Sequence, residues 1–231
     1  MNRRRFLAAS AVTAGAAAPL AAWALAGGDE TREALPAKPI RIPSGGSIRT
    51  AFAIGPGVNV IDTAGPWEVF CDTAVVGGPA SFDLYTVAAS TDPVEGNSGL
   101  QIMPRYAYRE APQPHVVVVP AHDAGDPTLA WLRHVSRGAQ MIMSVCTGAF
   151  VLADTGLLNG MTATTHHDFY DDFESMFPQI ELVRGRRFVE HERLATAGGL
   201  TSGIDLALRV VERYLGRQGA RATARYLEYR A

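Results

Sequence analysis

Cysteine is scarce in this 231-residue chain, which holds two, Cys71 and Cys146. Two thiols close at most one bridge, so a disulfide-stapled scaffold is excluded and the fold must rest on a hydrophobic core. An excess of positive charge is also missing: 21 Lys and Arg face 23 Asp and Glu. Such a surface does not attract nucleic acid. There is no internal repeat, and no low-complexity segment beyond the N-terminal stretch, which removes solenoids and fibrous arrays. Adjacent histidines occur once, at His166-His167. Neighbouring residues rarely face one ion and no further ligands stand at metal-site spacing, so no metal and no cofactor are assigned. The Asp171-Asp172 pair reads as a solvated helix face.

What is present begins at the N-terminus. Asn2-Arg3-Arg4-Arg5-Phe6-Leu7 leads into an alanine-rich apolar stretch reaching about Leu25, and Ala24-Leu25-Ala26 offers a small-x-small cleavage site. This is the pattern of a twin-arginine export signal over residues 1–26, and it predicts a periplasmic or otherwise exported protein. A membrane anchor is the alternative; the length just permits it, although alanine contributes little to insertion. Cleavage removes three arginines and no acid, leaving 205 residues with 18 basic and 23 acidic side chains, a net charge of −5. That length supports one domain, with no membrane association after cleavage. Residues 27–47 mix Gly, Pro and charge and read as a flexible tether, so the domain is expected over 48–231. In an oxidising compartment Cys71 and Cys146 could pair. The twin-arginine route carries proteins already folded in the reducing cytoplasm, so a free thiol is also compatible.

Strand and helix signals alternate. Ile48–Ile54 reads as a first strand stopped by Gly55-Pro56-Gly57, followed by Asp62 in a loop and a helix over Pro66–Val75 that carries Cys71 as a buried thiol. Phe82–Ala88 is a second strand. The continuous apolar run His115–Val119 predicts a strand covered on both faces, hence a parallel sheet. Helix spacing over Thr128–Arg137, a strand at Met141–Val145 and a helix at Gly148–Thr155 come next. Asp168–Met176 reads as helix, Phe188–Glu190 and Leu194–Thr196 as a strand pair, and Ser202–Leu215 as an amphipathic helix. This order predicts an α/β fold with a doubly wound, mostly parallel sheet and helices on both faces. Ligands of such sheets bind beyond the carboxyl ends of the strands, where Asp62, Ala121-His122 and Cys146 all fall.

Cys146 lies in Ser144-Val145-Cys146-Thr147-Gly148, a strand-to-helix turn with the small neighbours that a nucleophile elbow needs. The N-terminus of the following helix favours a thiolate, which predicts a lowered pKa. The plainer alternative is a buried small hydrophobe. Asp62 has its own alternative, as N-cap of the helix at Gly65-Pro66.

Four motifs in order resemble the ThiJ/PfpI superfamily, with its class I glutamine amidotransferase-like (flavodoxin-like) fold. They are Ile61-Asp62-Thr63-Ala64-Gly65-Pro66-Trp67-Glu68-Val69-Phe70, Ser144-Val145-Cys146-Thr147-Gly148-Ala149-Phe150-Val151-Leu152-Ala153, Ala163-Thr164-Thr165-His166 and Gly203-Ile204-Asp205-Leu206-Ala207-Leu208. The branch they resemble holds isonitrile hydratase and the sensor domains of certain regulators. Carried over residue by residue, the resemblance implies a hydro-lyase with Cys146 as nucleophile, Thr147 as an essential hydroxyl and Asp62 as acid partner, and a carboxyl so near a thiolate should have a raised pKa, since two anions at short range disfavour each other. Gly65, Ala121, His122 and His166 are expected around the substrate, a small molecule, and the resemblance implies a homodimer. Pro120-Ala121-His122 departs from the superfamily's Pro-Gly-Gly oxyanion turn: Ala121 can still offer its N–H, and His122 is a pocket base or a polar loop residue. Threonine after Cys146, where peptidase-like relatives carry histidine, disfavours proteolysis. The related regulators continue into a helix-turn-helix region, whereas this chain ends at Ala231, so no DNA-reading domain is expected. An exported ligand binder with Cys146 as a redox-sensitive group is the competing reading.

Overall fold

The run Val116-Val117-Val118-Val119 has no polar alternation. The fold accounts for this: its four fully buried residues form a strand in the middle of a seven-stranded sheet. The computed structural model describes residues 38–230; the expected export signal and residues 27–37 of the expected tether lie outside the described residues. In chain order come β1 (Ser47–Ala53), α1 (Val60–Val76), β2 (Ser81–Ala88), β3 (Val94–Glu95), β4 (Gln101–Ile102), β5 (Tyr106–Ala107) and β6 (Val116–Val119). Then follow α2 (Asp126–Val135), β7 (Met141–Val145), α3 (Gly148–Asp154), β8 (Thr162–Ala163), α4 (Tyr170–Met176), β9 (Glu181–Leu182), β10 (Phe188–Glu190), β11 (Leu194–Ala197) and α5 (Ser202–Tyr226).

The main sheet has the order β10-β11-β7-β6-β1-β2-β5. Every neighbouring pair in it is parallel except β10 with β11, which is antiparallel. The alternate faces of each central strand feed two separate cores. Ala51, Ala53, Val117 and Val119 join α2, α3 and α4 through Leu132, Leu152 and Phe173. Ile48, Phe52, Val116 and Val118 join α1 and α5 through Phe70, Leu206 and Val210. This is the expected doubly wound, flavodoxin-like arrangement with helices on both faces. No helix among the described residues is long and apolar enough to cross a membrane.

The structure corrects several boundaries. Helix α1 starts six residues before Pro66, because Asn59 caps it by accepting the Ile61 N–H at 3.2 Å. Pro66 lies inside the helix, where it has no N–H to give the Asp62 carbonyl. Asp62 is therefore in the first helical turn, neither a loop residue nor the cap. Cys71 is exposed rather than buried, since α1 turns Asp62, Pro66, Val69 and Phe70 inward, and both cysteines are free. Helix α5 runs eleven residues beyond Leu215, broken at Gly216 (φ 76°, ψ 169°), a conformation that glycine alone adopts without strain. Within the expected tether, residues from Lys38 onward lie against the domain. The Ile40 N–H donates to the Arg213 carbonyl at 2.8 Å, Ile40 and Ile42 pack on the α1/α5 core, and the buried Arg213 guanidinium donates back to the Lys38 carbonyl at 2.9 Å.

Candidate active site

Strand β7 ends at Val145 and the chain must turn into α3 within two residues, Cys146 and Thr147. Cys146 makes that turn with φ at 58°, the left-handed region that costs a residue with a Cβ about 1–3 kcal/mol. Three contacts hold it there. The Cys146 N–H donates to the carbonyls of Gly198 (2.9 Å) and Ala197 (3.2 Å), and its own carbonyl accepts the Thr165 hydroxyl at 2.9 Å. Gly148 is what lets α3 start so close to the sheet: a Cβ there would lie 2.1 Å from the Val119 carbonyl oxygen. The elbow expected from the small neighbours of Cys146 is thus present, with strained backbone at the cysteine itself.

The loop ends converge as the strand order requires. The Asn59 N–H donates to the Ala121 carbonyl (2.8 Å) and the Ala121 N–H returns to Asp62 Oδ2 (3.2 Å), clipping the start of α1 to the turn after β6. Asp62 is fully buried, and its Oδ1 has no regular hydrogen-bond partner among the described residues. Burial pushes its pKa up to about 7, against the Ala121 N–H and the Cys146 thiol, which both favour the carboxylate. The direction is the one expected, but its cause is burial and not repulsion by a neighbouring thiolate. The lowered pKa expected at Cys146 is not found. Burial, then the Asp62 charge, push the thiol up to about 12, outweighing the N–H groups of Thr147 and Leu200 and the Thr147 hydroxyl that face the sulfur. With seven residues, α3 is too short for its N-terminus to reverse this. The resting pair holds its proton on the sulfur, with Asp62 able to exchange one near neutrality.

The remaining expected residues fall in different places. Thr147 sits beside the sulfur, as anticipated. The Ala121 N–H is already engaged by Asp62, so it is not a free oxyanion donor. His122 is not a solvated loop residue. It is buried with Nδ1 2.8 Å from the Pro120 carbonyl, and its ring lies so close to Gly55 that a Cβ there would be 2.6 Å from Cδ2. Burial holds its pKa below the ordinary value, so it is neutral. Gly65 lets α1 approach Ile204 of α5 and lines a cavity of about 580 Å³ with Ile61, Glu68 and Tyr229, whose wall does not include Cys146. His166 is half-buried against Gly199, one residue before the Leu200 N–H that faces the sulfur. Leu200, at φ 49°, and Thr165 were not anticipated. The signal for Leu200 was the Gly198-Gly199 pair directly after β11, at a strand's carboxyl end.

Comparison with known proteins agrees with this fold. The chain is 30% identical to isonitrile hydratase from Pseudomonas putida over 190 residues, covering 79% of each protein. It is 28% identical over 144 residues to the HTH-type transcriptional regulator CdhR of Pseudomonas aeruginosa, 59% of this chain and 43% of that one. Among solved structures, a ThiJ/PfpI family protein from Pseudomonas syringae superposes with a TM-score of 0.71 at 27% identity, over 83% of this chain and 78% of that one. Drosophila melanogaster DJ-1beta shares the fold, with a TM-score of 0.69 at 17% identity over 80% of this chain and 100% of that one. Residues 48–213 match the DJ-1/PfpI family along the stretch that builds the sheet, the elbow and the Asp62 clip, and the chain belongs to that family.

Proposed function

We propose that the protein is a cysteine-dependent hydratase that adds water to an isonitrile to give an N-substituted formamide. One observation carries the reading: a strained cysteine shares a buried site with a carboxyl group whose pKa is raised to about 7. A thiol held at about 12 is a poor free nucleophile near neutrality. The ionised Asp62 removes that difficulty by taking the thiol proton as sulfur attacks. In the first half, the Sγ–C bond forms at the isonitrile carbon and Asp62 delivers the proton to that carbon, leaving a thioimidate on Cys146. In the second, water adds to the same carbon, nitrogen gains a proton, and the C–S bond breaks. The products are the formamide and the regenerated thiol, so no oxidant or cofactor enters. Thr147, whose hydroxyl and N–H face the sulfur, orients the water and steadies the developing charge. The name of the Pseudomonas putida relative supports the substrate class.

The protein acts after export, a proposal resting on Arg3-Arg4-Arg5 and the apolar stretch that follows, and it works as a homodimer. The test is turnover of alkyl and aryl isonitriles to formamides, with Cys146→Ala as control. Product formation that survives Cys146→Ala, or no turnover across the panel, overturns the hydratase. The second reading, a ligand binder, draws on the regulator relative and on the raised thiol pKa. It requires tight binding of a small molecule without turnover.

A further inference from the structure

Beyond β8, which ends at Ala163, His166 has an extended backbone (φ −61°, ψ 136°), and a 3-10 turn follows over His167–Phe169. Adjacent residues in a strand point to opposite faces, and in a helix they diverge by about 100°. Here the change from extended to 3-10 backbone cancels that divergence. The two imidazoles lie face to face, 4.4 Å between centroids with planes 26° apart. The same turn brings Asp168 back to both rings, its carboxylate 3.2 Å from His167 Nε2 and 3.7 Å from His166 Nδ1. One ligand atom from each of the three residues lies within 4.8 Å of the other two.

A zinc-sized ion bound at about 2.0–2.2 Å by nitrogen and oxygen holds its ligand atoms roughly 3–4 Å apart. The triangle here needs to close by less than about 1 Å on its longest edge. His167 and Asp168 can supply that movement, with side chains 73% and 68% exposed. His166 is the anchor. Its side chain is 16% exposed, and its Cδ2–Nε2 edge presses on Gly199, where a Cβ would stand 2.3 Å from Cδ2. The ring cannot swing away, and Nδ1 stays turned toward Asp168. Two imidazoles and one carboxylate suit Zn²⁺, Ni²⁺ or Cu²⁺; Ca²⁺ and Mg²⁺ take oxygen ligands.

We propose that His166, His167 and Asp168 form a surface site for one borderline divalent transition-metal ion, its remaining positions filled by water. The ion replaces the long contact of 3.3 Å between the Asp168 N–H and His166 Nδ1. It also fixes the tautomer of His166: with Nδ1 on the metal, the ring proton sits on Nε2, the edge that faces the Gly199-Leu200 loop beside Cys146. The site is independent of the hydratase reading.

Calorimetric titration of the tag-free protein with ZnCl₂ at pH 7.5 tests this, alongside His167→Ala and Asp168→Asn, whose exposed side chains put little of the fold at risk. One equivalent should bind, with affinity falling by about tenfold or more in each variant. With CuSO₄, electron paramagnetic resonance should show coupling to imidazole nitrogen that weakens in His167→Ala. MgCl₂ should give no binding heat. Absence of Zn²⁺ and Cu²⁺ binding overturns the proposal, and so does binding that both variants leave unchanged, which would place the ion at a thiol or the N-terminus.

Discussion

Replacing Asp62 by Asn should make the protein more stable, and only above mildly acidic pH. Asn has nearly the same shape, and its carbonyl oxygen can go on accepting the Ala121 N–H that now reaches Asp62 Oδ2. What it lacks is the capacity to ionise in a fully buried position. The carboxyl rises from 3.8 when exposed to about 7 in the fold. Below pH 3.8 the folded and unfolded chains both hold the proton, and ionisation makes no difference to stability. Between 3.8 and 7 the unfolded chain releases its proton while the folded chain keeps it, so stability falls with rising pH and stays lowered above 7. At 1.36 kcal/mol per unit, the full loss is about 4 kcal/mol. Removing the group restores that amount at pH 8 and less than about 1 kcal/mol at pH 4, where the loss has only begun. For a domain of this size the gain is on the order of 10 °C in Tm, readable by differential scanning calorimetry at the two pH values. Equal Tm values at pH 8, or the same gain at pH 4, would refute the claim that burial of this carboxyl governs the site.

Two further outcomes follow from the same geometry. Alkylation of Cys146 by iodoacetamide should be slow at pH 7 and rise steeply toward high pH, and Asp62→Asn should speed it at pH 8 by removing the negative charge that helps raise the thiol pKa. A slower reaction in Asp62→Asn sinks the electrostatic account. Gly148→Ala should lower stability by about 3 kcal/mol or more in urea unfolding, since the added methyl meets the backbone of β6, which cannot step aside. Wild-type stability in that variant would mean that α3 does not sit as described.

Much of the fold is legible in residue patterns because its strands are buried on both faces. Val116–Val119 is a continuous apolar run and Met141–Val145 an apolar run interrupted only by Ser144, the pattern of parallel strands covered on both faces. The elbow is legible for a related reason: Gly148 is small where any side chain would strike the end of β6. Helix α1 was misread at Pro66 because proline usually opens a helix, while the cap at Asn59 depends on a side-chain bond that residue type alone does not fix. The thiol pKa was misread because the pull of a helix end is local, whereas burial sums over everything packed around the sulfur. Ala121 shows the same limit. Its N–H is visible in the sequence, but that Asp62 accepts it is a fact of three dimensions.

The family match begins at residue 48, whereas the packed structure begins ten residues earlier. Arg213, buried at 3% exposure, donates to the carbonyls of Lys38, His191 and Glu192 and to the Glu190 carboxylate. A chain trimmed to the family's edge would lose the first of these acceptors and bare the apolar surface that Ile40 and Ile42 cover, beside a guanidinium still enclosed by protein. For anyone dividing this chain, the place to cut is ahead of Lys38.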